Sequence, residues 1–267
     1  MSDEYFGSGV QQGLQRRACA LWSLLRNQPE YSCHGRAVAV TGQRPDTVQA
    51  QIAMARLQGA GLCDRVASDH LAARRAALTA AGLEIDEYTS WTGGEKAVQA
   101  ARAVLADRPL RAGVDCKAVD ADTPAEVLGQ LDRVTQACGV LLPMGRFLRG
   151  LDRPSVFLYA QTSEGRVIGT AGAVAQFHPD GPDQQDYWWG MLATDEAFRG
   201  QSIALILGAE AIVRMADGLG LVLMHTGVRA GNAPSERLCA KLGLARSDRT
   251  DMIAIDKSVF AAGSMTK

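Results

Sequence analysis

YWWGMLATDEAFRGQSIA, at residues 187–204, is the stretch that decides the predicted fold. Its apolar and aromatic start predicts a buried strand over 188–192. A polar segment at 194–197 predicts a turn, and a long apolar helix is expected to begin near Ser202. The sequence therefore predicts a strand, a turn and a helix in close succession.

The start of this helix has the properties of an anion site. The first N–H groups of a helix have no partner within it, and together with the helix dipole they favour a phosphate. The small residues Gly200, Ser202 and Ala204 let a ligand approach the backbone, and Arg199 adds a positive charge. An ordinary strand–turn–helix with an arginine at its rim explains the same pattern, so this stretch alone leaves both interpretations open.

Two segments in order resemble the signatures of the GNAT superfamily of N-acyltransferases. RGQSIA at 199–204 is similar to motif A, usually Arg/Gln-x-x-Gly-x-Gly/Ala, and VRAGN at 228–232 is similar to the strand end Val-x-x-x-Asn. APSERLCAKLGL at 233–244 then resembles the short helix that closes on Lys-x-Gly-Phe. The resemblance covers about residues 111–257.

The resemblance implies that acyl-coenzyme A, acetyl-CoA first of all, is the co-substrate. Its pyrophosphate is expected on the helix N–H groups, and its arm along the strand that ends near Ala193, where this strand splays from the strand at 221–228. A backbone N–H near Met191 or Leu192 is expected to bind the thioester carbonyl. The implied cofactor-binding residues are Met191, Leu192, Ala193, Arg199, Gly200, Gln201, Ser202, Ile203, Ala204, Asn232 and Ser235.

Two positions depart from the family pattern. Ser202 stands where the family usually has glycine, so its side chain must avoid the phosphates or join them. Cys239 stands where many members have a tyrosine that is taken to protonate the leaving thiolate. A thiol can donate a proton, but a small apolar helix residue is the alternative interpretation of Cys239.

The general base is not evident from the pattern. Many family members carry a glutamate on the central strand, and the strand at 187–192 contains none. His225 is the first candidate, with Asp186 and His178 as others, because an ordinary histidine pKa suits proton transfer. A satisfied core histidine is the alternative for His225, and a water chain or an acceptor that arrives neutral would also suffice.

Composition limits the remaining possibilities. The chain has 267 residues and a formal net charge of −1, which gives no reason to expect nucleic acid or membrane as a partner. No apolar run approaches the ~20 residues of a membrane span, and the acidic start lacks the order of a signal peptide. Six scattered cysteines and four scattered histidines argue against a zinc site, so no metal is expected. A cytoplasmic location is the prediction.

The domain prediction divides the chain into three parts. Residues 1–110 are expected to form a helix-rich α/β unit with one or two short strands, at 36–41 and 83–90. This unit is either a degenerate copy of the acyltransferase fold or a helical cap, and the cap is the favoured interpretation. Residues 111–257 are expected to form the acyltransferase domain, and residues 258–267 a loose tail.

The predicted fold class for the second part is α/β (α+β), a GNAT-like mixed and mostly antiparallel sheet flanked by helices. Strands are expected at 114–119, 155–161, 166–177, 187–193, 221–228 and 252–255. Helices are expected at 122–138, 142–148, 202–217 and 233–242.

The predicted function is acyl transfer from acyl-CoA to an amine of a small molecule or amino acid, by direct attack in a ternary complex. An acyl-CoA-binding protein with little turnover and a protein lysine or N-terminal acetyltransferase are the alternatives. The resemblance implies that 139–154, where apolar residues and arginines mix, forms part of the acceptor pocket and suits an acidic or aromatic acceptor. Solvated arginines are the alternative and favoured explanation of this mix. A homodimer is compatible with the sequence.

Overall fold

The computed structural model of the chain describes residues 4–42 and 46–261. The helices are α1 Gly9–Leu25, α2 Thr47–Gln58, α3 Ser68–Ala80, α4 Glu95–Asp107, α5 Ala125–Ala137, α6 Gly145–Leu148, α7 Ile203–Leu219 and α8 Ala233–Lys241. The strands are β1 Tyr31–Cys33, β2 Val38–Val40, β3 Ala60–Val66, β4 Glu84–Gly93, β5 Val114–Ala118, β6 Ser155–Thr162, β7 Val167–Val174, β8 Asp186–Thr194, β9 Leu223–Val228 and β10 Ala245–Ile255.

All of these strands join one sheet, in the order β1-β2-β3-β10-β4-β9-β8-β7-β6-β5. The pairs β2–β3 and β8–β9 are parallel, and the remaining neighbours are antiparallel. The predicted fold class is therefore confirmed, including the mixed and mostly antiparallel sheet.

The two halves of the chain repeat one arrangement. In the first half β2, α2, β3, α3 and β4 follow one another, with β2 parallel to β3. In the second half β8, α7, β9, α8 and β10 repeat that order, with β8 parallel to β9. The last strand of each unit pairs with a strand of the other unit: β4 pairs with β9, and β10 pairs with β3. We call this arrangement the strand exchange. This topology agrees with a degenerate second copy of the fold.

The favoured expectation of a helical cap is therefore wrong, because the first unit contributes β1 to β4. β3 falls outside the two strands that were expected in this unit, at 36–41 and 83–90. Gly59 ends α2 in the left-handed conformation, with φ 103°. Gly61 lies inside β3, where an added Cβ would stand 2.1 Å from the carbonyl oxygen of Gln51 on α2. A glycine in a strand thus marks close packing here.

The sheet buries both of its faces. Alternate residues of β6 point to opposite sides, as strand geometry requires. Phe157 and Tyr159 join the apolar cluster that contains α5, whereas Leu158 and Ala160 join the cluster that contains α4 and α7. The helix that was expected from Ser202 is α7, and it lies between these strands and α4. Helices on both faces hold β8, the strand that carries the candidate site.

The predicted tail, 258–267, contains a buried residue. Phe260 is fully buried, and a Cβ added to Gly59 would lie 2.7 Å from the Cβ of Phe260. Phe260 joins an apolar cluster with Leu14, Ala60 and Leu62, so the chain is packed against the protein at this position. Residues 262–267 of the predicted tail lie outside the described residues.

The helices within 4–42 and 46–261 include none with the length and hydrophobicity that a bilayer crossing requires.

Candidate active site

A cleft opens between β8 and β9, the two parallel strands in the second half. They pair from Asp186 with Leu223 to Trp188 with His225. Beyond Trp188 the described residues show no further pairs between them, so one edge of β8 is left open. The splay that the resemblance implied is at the expected place.

A bulge in β8 lies along this open edge. On the β7 side Gly172 pairs with Gly190 and Thr170 pairs with Ala193, so two residues of β8 stand opposite one of β7. Met191, one of these two, has φ 58°, and its carbonyl oxygen accepts a hydrogen bond of 2.6 Å from Thr170 Oγ1. Bulges redirect backbone groups next to active sites. Met191 and Leu192, the predicted thioester-binding positions, are thus placed at an irregular point of the ladder.

The N-terminus of α7 follows after a short 3₁₀ turn. Gly200 and Ser202 both have positive φ, 78° and 61°, and no side chain caps the helix at Ser202. Arg199 is exposed, with its guanidinium 3.9 Å from the carboxylate of Glu196. The left-handed turn leaves the first N–H groups of α7 available to an anion.

A cavity of about 270 Å³ occupies the mouth of the cleft. Of the predicted cofactor-binding residues, Met191, Leu192, Asn232 and Ser235 line it, as does the predicted acid Cys239. The other predicted positions lie outside its lining: Ala193, Arg199, Gly200, Gln201, Ser202, Ile203 and Ala204. These residues continue from the strand into the start of α7, where the anion is expected.

Asn232 has a structural role as well as a predicted binding role. It precedes α8, and its Oδ1 accepts a hydrogen bond of 3.2 Å from the backbone N–H of Ser235. This contact caps the helix and fixes both residues at the cavity wall.

Cys239 lies on α8 and is 2% exposed. Burial raises the pKa of its thiol to about 12, because the thiolate loses its hydration. The thiol is therefore neutral at physiological pH. It faces the cavity as a small side chain that still carries a proton.

His225 is not brought to the cavity. Its Nδ1 lies 2.8 Å from Asp186 Oδ1, and its Nε2 lies 3.2 Å from the amide nitrogen of Gln176, so both ring nitrogens are engaged in the core. Burial lowers the pKa of His225, but the Asp186 carboxylate raises it by more, and the net shift is upward. Because both ring nitrogens already have partners in the core, neither is free to accept a proton from an amine at the cavity.

The other two candidates for the base are also outside the lining. Asp186 is engaged by His225 and by Arg65, the latter through a short ion pair. His178 Nδ1 accepts a hydrogen bond of 3.1 Å from the backbone N–H of Asp180, in the loop before β8. His225, Asp186 and His178 thus all lie outside the lining of this cavity.

Asp251 is a carboxyl group at the cavity that the sequence analysis missed. Its Oδ1 accepts a hydrogen bond of 2.8 Å from the backbone N–H of Arg65, a residue with φ 55°. Its Oδ2 lies beside Gly227, where an added Cβ would stand 2.7 Å away. Burial raises the pKa of Asp251, and the neighbouring charge of Asp64 raises it further. Such a carboxylate is suited to accept a proton near neutral pH.

The first half of the chain supplies much of the remaining wall, namely His34, Arg36, Leu62, Asp64 and Tyr88. At the rim, Arg229 donates hydrogen bonds of 2.7 Å to Asp86 Oδ2 and to the hydroxyl oxygen of Tyr88. The predicted acceptor region at 139–154 contributes only Val140 to the lining. The sequence carried no local signal for these residues, since they meet only through the strand exchange.

Residues 135–244 match the Acetyltransferase (GNAT) family. No curated protein is significantly similar in sequence to this chain. Several solved structures share the fold at low sequence identity. A GCN5-related N-acetyltransferase from Kribbella flavida has a TM-score of 0.53 and 13% identity, with 91% of this chain and 95% of that chain covered.

Two further structures cover most of the chain. A tandem GNAT protein from the clavulanic acid biosynthesis pathway has a TM-score of 0.55 and 14% identity, with 95% of this chain and 98% of that chain covered. A Drosophila protein has a TM-score of 0.56 and 14% identity, with coverages of 92% and 89%. At these identities the likeness shows the fold, and the tandem relative agrees with the repeated arrangement of the two halves.

Proposed function

We propose, from the premise that residues 135–244 form a GNAT-family acetyltransferase domain, that this protein transfers an acyl group from acyl-CoA to an amine of a small molecule or amino acid. The observation that carries the proposal is the open edge of β8 after Trp188, which leads from the cavity to the uncapped start of α7. A thioester arm and its pyrophosphate need a groove and an anion site in this order.

The α7 N-terminus would bind the pyrophosphate through its free N–H groups and Arg199. The backbone around Met191 would donate to the thioester oxygen, where negative charge develops as the amine attacks. Acetyl-CoA is the first co-substrate to test, because the cavity of about 270 Å³ has to hold both the acyl group and the acceptor amine.

Asp251 is the general base in this proposal. The amine nitrogen forms a bond to the thioester carbon, and its proton passes to the Asp251 carboxylate, directly or through one water. The carbon–sulfur bond breaks, and the leaving thiolate takes up a proton from solvent or from the neutral thiol of Cys239. The strand exchange supports this role, because it brings β10 and β9 to the same cavity across β4.

Arg199→Ala tests the anion site. We expect acetyl-CoA to bind the wild-type protein in the micromolar range and the variant about tenfold more weakly, since a charge-assisted contact to phosphate is lost. Isothermal titration calorimetry measures both. Arg75→Ala is a matched control, because Arg75 is an exposed arginine that pairs with Glu87 away from the cleft. Equal affinity in Arg199→Ala and Arg75→Ala would remove Arg199 from the site.

Cys239→Ala tests the thiol. We expect the rate of free-thiol release to stay within about tenfold of the wild type, because solvent can protonate the thiolate and positioning supplies most of the rate. The assay follows coenzyme A production with a library of amines. A loss of more than about a hundredfold, with acetyl-CoA affinity unchanged, would instead identify Cys239 as the proton donor.

A further inference from the structure

Arg36 is a buried cation at the cavity wall without a counter-ion in contact. It is 5% exposed and lines the cavity. Its guanidinium carbon lies 4.6 Å from the ring centroid of Trp188, and its Nε has no hydrogen-bond partner. Within 4–42 and 46–261 no hydrogen bond or ion pair to Arg36 is found. A buried charge without such a partner is costly, so its presence points to an anion from outside the chain.

The two acidic residues that line the cavity, Asp64 and Asp251, accept hydrogen bonds from groups other than Arg36. Asp64 is close enough to raise the pKa of Arg36, yet its Oδ2 accepts a hydrogen bond of 2.9 Å from Gln176. Asp251 accepts from the backbone of Arg65. Burial is the largest influence on Arg36 and lowers its pKa to about 10, which still leaves the guanidinium charged at neutral pH.

His34 stands beside Arg36 with a second unsatisfied group. It is 7% exposed, its Nδ1 has no hydrogen-bond partner, and its ring centroid lies 5.1 Å from that of Trp188. Burial lowers the pKa of His34, and the charge of Arg36 lowers it further, so the imidazole is neutral. A neutral imidazole can donate one hydrogen bond and accept another. Arg36 and His34 both lie against the ring of Trp188, and they are called the polar pair below.

The polar pair is distant from the expected phosphate site. Trp188 is the last residue of β8 that pairs with β9, and the strand continues to Thr194 before the turn that leads to α7. The β7 partners of Trp188 and Ala193, namely Val174 and Thr170, are four residues apart, so at about 3.3 Å per strand residue Trp188 and Ala193 are separated by roughly 13 Å. An anion held at the start of α7 therefore does not neutralise Arg36.

We infer that the acceptor of the proposed acyl transfer carries a carboxylate in addition to its amine, and that Arg36, with His34, binds this carboxylate. The inference rests on the proposed function. The guanidinium provides a planar fork for the two carboxylate oxygens, and Asp251, which lines the same cavity, accepts the proton of the amine. An amino acid or a short peptide with a free amine fits this description, and a simple alkylamine does not. The first half of the chain then serves as the acceptor-recognition half.

The test compares Arg36→Met with the wild type and with Arg153→Met. Arg153 is a matched control, because it also stacks on a tryptophan, Trp22, at 5.1 Å, and does not line the cavity. The probes are the L-amino acids, a set of dipeptides and the decarboxylated amines of the same amino acids. Binding is measured by calorimetry in the presence of saturating coenzyme A, so that no turnover occurs.

We expect at least one carboxylate-bearing probe to bind the wild type and the Arg153→Met variant at least ten times more tightly than its decarboxylated amine. In Arg36→Met this preference is lost, while acetyl-CoA affinity is unchanged. The inference is overturned if no carboxylate-bearing probe binds the wild type, if the amines bind equally well, or if Arg36→Met keeps the preference. Failure of acetyl-CoA itself to bind would instead contradict the proposed function, and it is measured separately.

A stability measurement separates ligand recognition from a structural role. Methionine fills a similar volume without charge, so we expect the thermal midpoint of Arg36→Met to equal or exceed that of the wild type. A sharp fall of the midpoint in Arg36→Met, beyond that of Arg153→Met, would overturn the inference. Arg36→Lys keeps the charge without the fork, and we expect it to bind the same carboxylate probes with intermediate affinity.

Discussion

Replacing Asp251 with asparagine lowers kcat/KM for thiol release by about 10²- to 10⁴-fold, the usual contribution of a general base. Asparagine keeps the oxygen that accepts from the backbone of Arg65, so the local structure is retained. It cannot take up a proton from the attacking amine. The release of coenzyme A in the presence of an amine acceptor measures the effect, and calorimetry with acetyl-CoA confirms that the cofactor site is intact.

The pH profile provides a sharper form of this prediction. The pKa of Asp251 lies above the ordinary carboxyl value of 3.8, so kcat/KM falls as the pH decreases through that raised pKa. This decrease of kcat/KM on the acidic side of the profile, the acidic limb, disappears in Asp251→Asn. In Asp64→Asn the limb remains but moves to lower pH, because the charge of Asp64 contributes to the raised pKa of Asp251. An unchanged limb in Asp251→Asn would assign the base to another residue.

Asp186→Asn is expected to lower the free energy of unfolding by about 3–5 kcal/mol, the usual cost of removing one member of a buried ion pair. The Asp186 carboxylate, 10% exposed, pairs with Arg65 and holds His225 at 2.8 Å. The variant removes the negative charge that a partly buried guanidinium and a buried imidazole share. Urea unfolding at pH 7 measures the change.

Asp183→Asn is the control, because Asp183 contacts the same Arg65 at 3.0 Å but is 35% exposed. We expect a change of about 0–1 kcal/mol there, as for other exposed pairs. Burial raises the pKa of Asp186, but His225 and Arg65 together lower it below its ordinary value of 3.8. Its contribution is therefore present above pH 3.8 and is lost as the pH falls through the lowered pKa. An equal loss in both variants, or a loss in Asp186→Asn that does not shrink at acidic pH, would contradict this account.

The second half of the fold was predictable because its signals are local. The strand, turn and helix of 187–204 lie within one short segment, and each has its own pattern of apolar and small residues. The start of α7 could be located to within one residue. The bulge at Met191 could not be found, because it depends on the register between β7 and β8.

The first half and the acceptor side of the cavity were not predictable in the same way. β3 contains Gly61, and a glycine at this place in the sequence is typical of a break between elements. In the structure it instead allows the backbone of α2 to pack closely against the strand. Arg36 and Asp251 lie at opposite ends of the chain, and only the exchange of β4 and β10 brings them to one cavity. Neither the periodicity nor the residue spacing of a single sequence predicts that two such distant residues line the same cavity.

The exchange of β4 and β10 also has a consequence for synthesis. A nascent chain that has left the ribosome up to β4 holds β3 and β4 apart, with no strand between them, because β10 fills that position in the finished sheet. Folding of the first unit can finish only after Ala245–Ile255 has been translated. Until then β3 and β4 each keep an unpaired edge. We therefore expect the incomplete chain to bind chaperones during translation.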